Sequence, residues 1–182
     1  MPYNINDYHR CSIRLKGYDY AQNGAYFITI CVQNRVCLFG DIVNQKMRLN
    51  ASGRMVDVQW QQLPNRFNHI KLDEYILMPN HLHGIIIVGA GLVPAQKEKR
   101  ATTRVAPTKP ILGMVVGGFK SITTNKYMNG VQNHDWPPFD KRLWQRNYYE
   151  HIIRDDGSLS DIREYIVHNP KNWQQDIYNR TL

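Results

Sequence analysis

The strongest pattern in the chain is a pair of β-rich apolar stretches, residues 75–78 and 84–88, interrupted by Pro79-Asn80. Just after the break, His81 and His83 flank Leu82. In an extended strand the two histidines point the same way, about 6.5–7 Å apart along the backbone, while Leu82 turns to the opposite, core side. Two imidazoles on one face either converge on one metal ion or are surface histidines at the start of a strand. The rest of the chain has to separate these two readings.

Ahead of this pair, residues 1–23 are polar and aromatic-rich with no clear period, and read as an irregular lead-in. The nearly continuous β-branched and aromatic run over 25–33 predicts a central strand. Asn34 and Gly40 bracket a short turn and strand, and 47–49 a further one. Asn50 or Ser52 then caps a helix reaching Leu63, whose Val56, Trp60 and Leu63 form one apolar stripe, with Pro64 as its stop. A second helix is predicted over 111–128, where Ile111, Val115, Phe119 and Ile122 recur at helical spacing. Lys120 lies on another face of it, positioned to reach a backbone phosphate. Residues 129–140 read as a loop, 141–146 as a short edge strand and 148–154 as a short helical turn. The last helix is expected over 159–168, capped by Ser158 or Ser160 and ended by Pro170. Tyr165 and Asn169 are four apart and so share a face at that helix's end. Singly, they read as a packed aromatic and a helix terminator. Together with the histidines they supply two nitrogen ligands, an oxygen ligand and a hydroxyl nucleophile.

Composition narrows the classes. With 182 residues and 42% hydrophobic content, the expectation is one domain over 1–182 with a core of its own. No apolar run approaches the roughly 20 residues of a membrane span, and the N-terminus is too polar for a signal peptide. A cytoplasmic, nucleoid-associated protein is expected. Cys11, Cys31 and Cys37 have neither the number nor the spacing of a disulfide framework or a thiolate zinc site, so free thiols are expected. The net charge of +8 and a pI near 9.5 suit a nucleic-acid partner. Residues 89–110 hold five of the basic side chains, Lys97, Lys99, Arg100, Arg104 and Lys109, against the single acid Glu98. This basic, flexible insertion is either a phosphate-seeking DNA contact or a solvated linker.

Three blocks now carry a resemblance: Met78-Pro79-Asn80-His81-Leu82-His83-Gly84, Trp144-Gln145-Arg146-Asn147-Tyr148-Tyr149-Glu150-His151, and Tyr165-Ile166-Val167-His168-Asn169-Pro170. In order and separation they resemble the signature blocks of the REP-associated tyrosine transposases, a branch of the single-tyrosine HUH nucleases (transposase IS200-like). The segments 14–20 and 24–31 resemble the family as well, so the likeness spans nearly the whole chain. It implies an α+β, ferredoxin-like fold: a central antiparallel sheet with helices packed against it. It also implies that His81, His83 and Asn169 bind a divalent metal and that Tyr165 is the nucleophile. Better-known insertion-sequence members carry glutamine at the Asn169 position, and the 89–110 insertion maps to no motif. The implied substrate is single-stranded DNA beside palindromic REP hairpins, with the protein a monomer or homodimer.

Elementary chemistry agrees with this implication. A tyrosine with a free pKa near ~10 needs a cation or base beside it to attack a phosphodiester at neutral pH. Mixed imidazole and amide ligation with open positions suits Mg²⁺ or Mn²⁺. The expected reaction is nicking and rejoining of a strand through a 5′-phosphotyrosine intermediate, that is, DNA transposition. Among three tyrosines, Tyr148 and Tyr149 lie nearer Arg146 and His151, but only Tyr165 has an oxygen ligand four residues on. The alternative is a non-catalytic single-stranded nucleic-acid or hairpin-binding module on the same fold. A zinc hydrolase barrel is disfavoured, because that barrel needs about 250 residues.

Overall fold

The computed structural model describes residues 24–89 and 111–179. The first region holds strand β1 (Gly24–Cys31), a 3-10 turn (Gln33–Arg35), the hairpin β2 (Gly40–Val43) and β3 (Lys46–Leu49), and helix α1 (Ala51–Gln61). A single turn α2 (Leu63–Arg66) and the pair β4 (Ile70–Leu77) and β5 (His81–Val88) follow. The second region holds helix α3 (Ile111–Asn133), strand β6 (Tyr149–Ile153), helix α4 (Asp156–His168) and a 3-10 stretch (Asn169–Gln175).

Four strands form one sheet in the order β4-β5-β1-β6, with every neighbouring pair antiparallel. Because α1 lies between β1 and β4 and α3 between β5 and β6, the main-sheet connectivity is β-α-β-β-α-β, the ferredoxin-like order. The expected α+β fold is therefore present, with β2–β3 added as a separate ribbon.

Strand alternation sorts the side chains onto two faces. On one, Tyr26, Ile28 and Ile30 of β1 and Leu82 and Ile86 of β5 pack with Val56 and Trp60 of α1 and Val115 and Phe119 of α3. On the other, Phe27 and Ile85 pack with Ile153 of β6 and with Ile162 and Ile166 of α4. Burial of Ile162 and Ile166 contributes about 2–3 kcal/mol each to docking α4. Gly84 is required on the first face, since a Cβ there would meet Trp60 Cζ2 at 2.5 Å. A bidentate ion pair adds a polar tie: Arg163 of α4 donates Nε to Asp73 Oδ1 at 2.7 Å and Nη2 to Oδ2 at 2.6 Å. The register shift between Leu72 and Tyr75 puts Asp73 in the bulge of β4.

Several local expectations need correcting. Pro64 does not stop a helix; it sits in the first turn of α2, where a missing N–H is no loss. Residues 148–154 are not a helical turn but contain β6, which satisfies the outer edge of β1 with a β-branched pair, Ile152 and Ile153. Of the edge strand expected over 141–146, there is only a bridge between Trp144 and Val32. Helix α3 runs past 128 to Asn133, because Gly130 accommodates Trp136 where a Cβ would come within 2.1 Å of the indole. Helix α4 begins at Asp156, capped by Asp155, whose Oδ1 accepts from Ser158 N at 2.8 Å. Asn50 caps α1 by accepting from Gly53 N at 2.8 Å. The lead-in 1–23 and the basic insertion, apart from Gly89, lie outside the described residues. No helix among the described residues is long and apolar enough to cross a membrane.

Candidate active site

The register of β5 on β1 pairs His81 with Cys31 and His83 with Thr29. Both imidazoles therefore stand on the α4 face, fully buried, while Leu82 enters the opposite core. Phe27 organises the pocket floor: its ring stacks on His83 at 5.5 Å and meets Tyr165 edge-on at 6.0 Å. Tyr165, projecting from α4, brings its Oη to 3.3 Å from His83 Nε2.

The hydrogen bonds around His81 fix its tautomer. Asn80 donates through Nδ2 to Arg35 O at 2.9 Å and to Tyr178 O at 2.8 Å, so its Oδ1, 2.8 Å from His81 Nδ1, is an acceptor. His81 therefore carries its proton on Nδ1. Thr29 Oγ1 lies 2.8 Å from His83 Nδ1 and accepts from it when that nitrogen carries the proton. In that tautomer both Nε2 lone pairs face one another across 3.0 Å. Protonating either would relieve the repulsion, but burial opposes it. His83 is held at a pKa of about 3 by desolvation, and His81 well below the usual histidine range by desolvation, then by His83 and Arg35. Two neutral imidazoles converging their lone pairs are the donor set of a metal cation, and the residues fit one.

The third donor that the structure brings up is Asp176. Its Oδ2 is 3.8 Å from His81 Nε2, and the ligand atoms of His81, His83 and Asp176 all lie within 4.8 Å of one another. Burial raises its carboxyl pKa, against donation from Tyr178 N, the charge of Arg35 and the side-chain amide of Asn169. Asn169 is buried, and its amide lowers the pKa values of both Tyr165 and Asp176. Its Oδ1, the atom through which it would ligate, is buried without a hydrogen-bond partner.

Sequence reasoning missed Asp176, Thr29, Tyr178 and Arg35. The tail beyond Pro170 has no periodicity to mark it, yet its 3-10 stretch leads Trp173 to stack on His81 at 6.0 Å and Tyr178 to lie 4.7 Å from the same ring. Arg35, at φ 55, sits over the Tyr178 ring at 5.1 Å and donates to Ile177 O at 2.6 Å. Asn80 lay within one of the three blocks, and Thr29 within the segment 24–31.

The remaining candidates separate clearly. The Lys120 ammonium donates to Gln145 O at 2.9 Å, Arg146 O at 3.3 Å and Asn147 O at 3.1 Å, and lies 5.4 Å from the Tyr148 ring centroid. Its three protons clamp that loop instead of facing outward, and burial lowers its pKa to about 8. Tyr148 belongs to this clamp on the far face, while Tyr149 shares the α4 face, edge-on to Phe27 at 6.2 Å. Cys31 and Cys37 are free thiols. Lys97, Lys99, Arg100, Arg104 and Lys109 lie outside the described residues.

No family model matches the chain. A Haemophilus influenzae protein described as uncharacterized is 43% identical over 179 residues, 96% of this chain and 95% of its own length. A second protein of that organism, described as "Putative REP-associated tyrosine transposase", is 35% identical over 49 residues, 22% of this chain and 28% of its own. Among solved structures, a REP-associated tyrosine transposase bound to a REP hairpin is 16% identical with TM-score 0.49, over 84% of this chain and 69% of that one. A "putative transposase" from Deinococcus radiodurans R1 is 15% identical with TM-score 0.47, over 84% of this chain and 95% of that one. The printed name of the second Haemophilus influenzae protein is that of the family whose blocks this sequence resembles.

Proposed function

We propose that the chain is a metal-dependent tyrosine transposase that nicks and rejoins single-stranded DNA beside palindromic hairpins. The observation that carries this reading is the meeting of two buried imidazole Nε2 atoms, 3.0 Å apart, with a tyrosine Oη 3.3 Å from one of them. His81 and His83, with Asp176 or Asn169, would hold a divalent ion, Mg²⁺ or Mn²⁺, which would supply phosphate polarisation and charge neutralisation at such a centre. Tyr165 is the nucleophile. Burial raises its phenol pKa far above the usual tyrosine value, so attack needs that neighbouring positive charge. As the Oη–P bond forms, the P–O3′ bond breaks, the phenol proton is lost and the 3′ oxygen is protonated to a free hydroxyl. The 5′-phosphotyrosine conserves the bond energy, and attack by a 3′-hydroxyl reverses the step to rejoin strands.

Within this mechanism, Phe27 fixes the angle between His83 and Tyr165, Thr29 and Asn80 hold the imidazoles in the ligand tautomer, and the Arg163–Asp73 pair holds α4 on the sheet. The hairpin in the named neighbour structure supports a hairpin substrate here only as part of this proposal. The test is to incubate the protein and Mn²⁺ with single-stranded DNA from the region flanking its own gene. A DNA-linked species surviving denaturation supports the reading, and binding without any adduct would favour the hairpin-binding module instead.

A further inference from the structure

Beside the metal-ligand cluster, and separate from it, a cleft of about 320 Å³ opens between the β2–β3 turn and the 3-10 stretch after α4. Asn44 and Gln45 line it from the turn, and Lys171, Trp173 and Gln174 from the stretch. Trp173 joins it to the centre, being stacked on His81 at 6.0 Å with an interplanar angle of 30°. The cleft therefore begins one aromatic ring away from an imidazole ligand.

The lining has a consistent chemistry. Asn44, Gln45 and Gln174 each carry a donor and an acceptor, are exposed, and have no side-chain hydrogen-bond partner among the described residues. Carboxamides with an aromatic plane are the groups that read an unpaired base by its edge and its face. Lys171 adds a cation for an adjoining phosphate.

Backbone strain points to the same cleft. Asn44 and Gln45 adopt φ 51 and φ 60, and a two-residue hairpin turn of this kind takes glycine readily at its second position. Gln45 holds an amide there in a conformation that disfavours a side chain, which sites of function tolerate.

We propose that this cleft binds one unpaired nucleobase of the DNA strand engaged at His81, His83 and Tyr165. The base stacks on Trp173, its edge is read by the amides of Asn44, Gln45 and Gln174, and Lys171 takes the neighbouring phosphate. This rests on the transposase reading and adds to it a protein-read position next to the cut.

The test walks an abasic site, one nucleotide at a time, through the single-stranded DNA that forms the adduct, with affinity measured by fluorescence anisotropy in EDTA. One position is expected at which loss of the base weakens wild-type binding about tenfold, in line with one lost stack. In Gln45→Gly/Gln174→Ala that dependence falls to the part carried by the Trp173 stack, although glycine relieves the turn and melting is unchanged or higher. Trp173 is left intact because it packs on His81. An adduct with no base-sensitive position in wild type, or a dependence undiminished in the double variant, overturns the inference and leaves the transposase reading standing. Absence of both adduct and base dependence overturns the two together.

Discussion

His81 and Asn80, consecutive in the chain, are joined by a 2.8 Å hydrogen bond from Nδ1 to Oδ1, and this bond decides which imidazole nitrogen is free. Thr29 meets His83 Nδ1 at 2.8 Å from the neighbouring strand and would hold it in the same tautomer by accepting from it. Loss of either partner frees the imidazole to rotate or change tautomer. Asn80→Ala and Thr29→Val are expected to weaken Mn²⁺ binding by about 10- to 100-fold, the usual range for partners of metal-bound histidines, and His81→Ala or His83→Ala to abolish it. Electron paramagnetic resonance of free Mn²⁺ during titration measures this, with circular dichroism as the check on folding. Wild-type affinity in both Asn80→Ala and Thr29→Val would remove the tautomer argument.

Asp176 and Asn169 compete for the role of oxygen ligand. Asp176 has a carboxylate and the distance, while Asn169 offers a neutral amide oxygen. Asp176→Asn is expected to lower Mn²⁺ affinity by tenfold or more, and Asn169→Ala by only a few-fold. A larger loss in Asn169→Ala would show that its amide is the oxygen ligand.

How much of this was legible in the sequence depends on how local each signal is. Alternation around Leu82 placed both histidines correctly, because a strand's period of two leaves no freedom once one side is core. The four-residue spacing of Tyr165 and Asn169 likewise survived, being a property of one helix. Asp176 was not legible, since its approach depends on an irregular tail folding back across the sheet, stitched by Asn80 and Arg35. Strand β6 was misread because 148–154 has no clean period, and the unfilled edge of β1 decides its conformation. Lys120 looked exposed by helical phase, but phase says nothing of the carbonyls that the 145–147 loop folds over it.

The Arg163–Asp73 pair makes docking of α4 sensitive to acid. Hydrogen bonding from Arg163 lowers the Asp73 pKa below its ordinary value in the folded state. Its stabilisation is therefore complete above the unfolded carboxylate pKa of about 3.9 and is lost as pH falls through the lower folded value. Arg163→Ala should reduce the melting temperature at pH 7, and the gap from wild type should narrow below about pH 4. A gap that is constant with pH would mean that Arg163 acts through packing alone.

The basic insertion is testable by salt. If it contacts DNA, neutralising Lys97, Lys99, Arg100, Arg104 and Lys109 should flatten the dependence of log K on log salt by roughly 0.7 per lost contact on a single strand. An unchanged slope would identify it as a linker.

The central claim, that Tyr165 attacks DNA with the help of a metal held by His81 and His83, is tested most directly by mass spectrometry of the adduct after nuclease trimming. Wild type with Mn²⁺ should carry a nucleotide phosphate on Tyr165. Tyr165→Phe, His81→Ala and EDTA should each eliminate it, while Tyr148→Phe and Tyr149→Phe retain it. A phosphonucleotide found on Tyr149, which shares the α4 face, or an adduct formed undiminished in EDTA, would contradict the account.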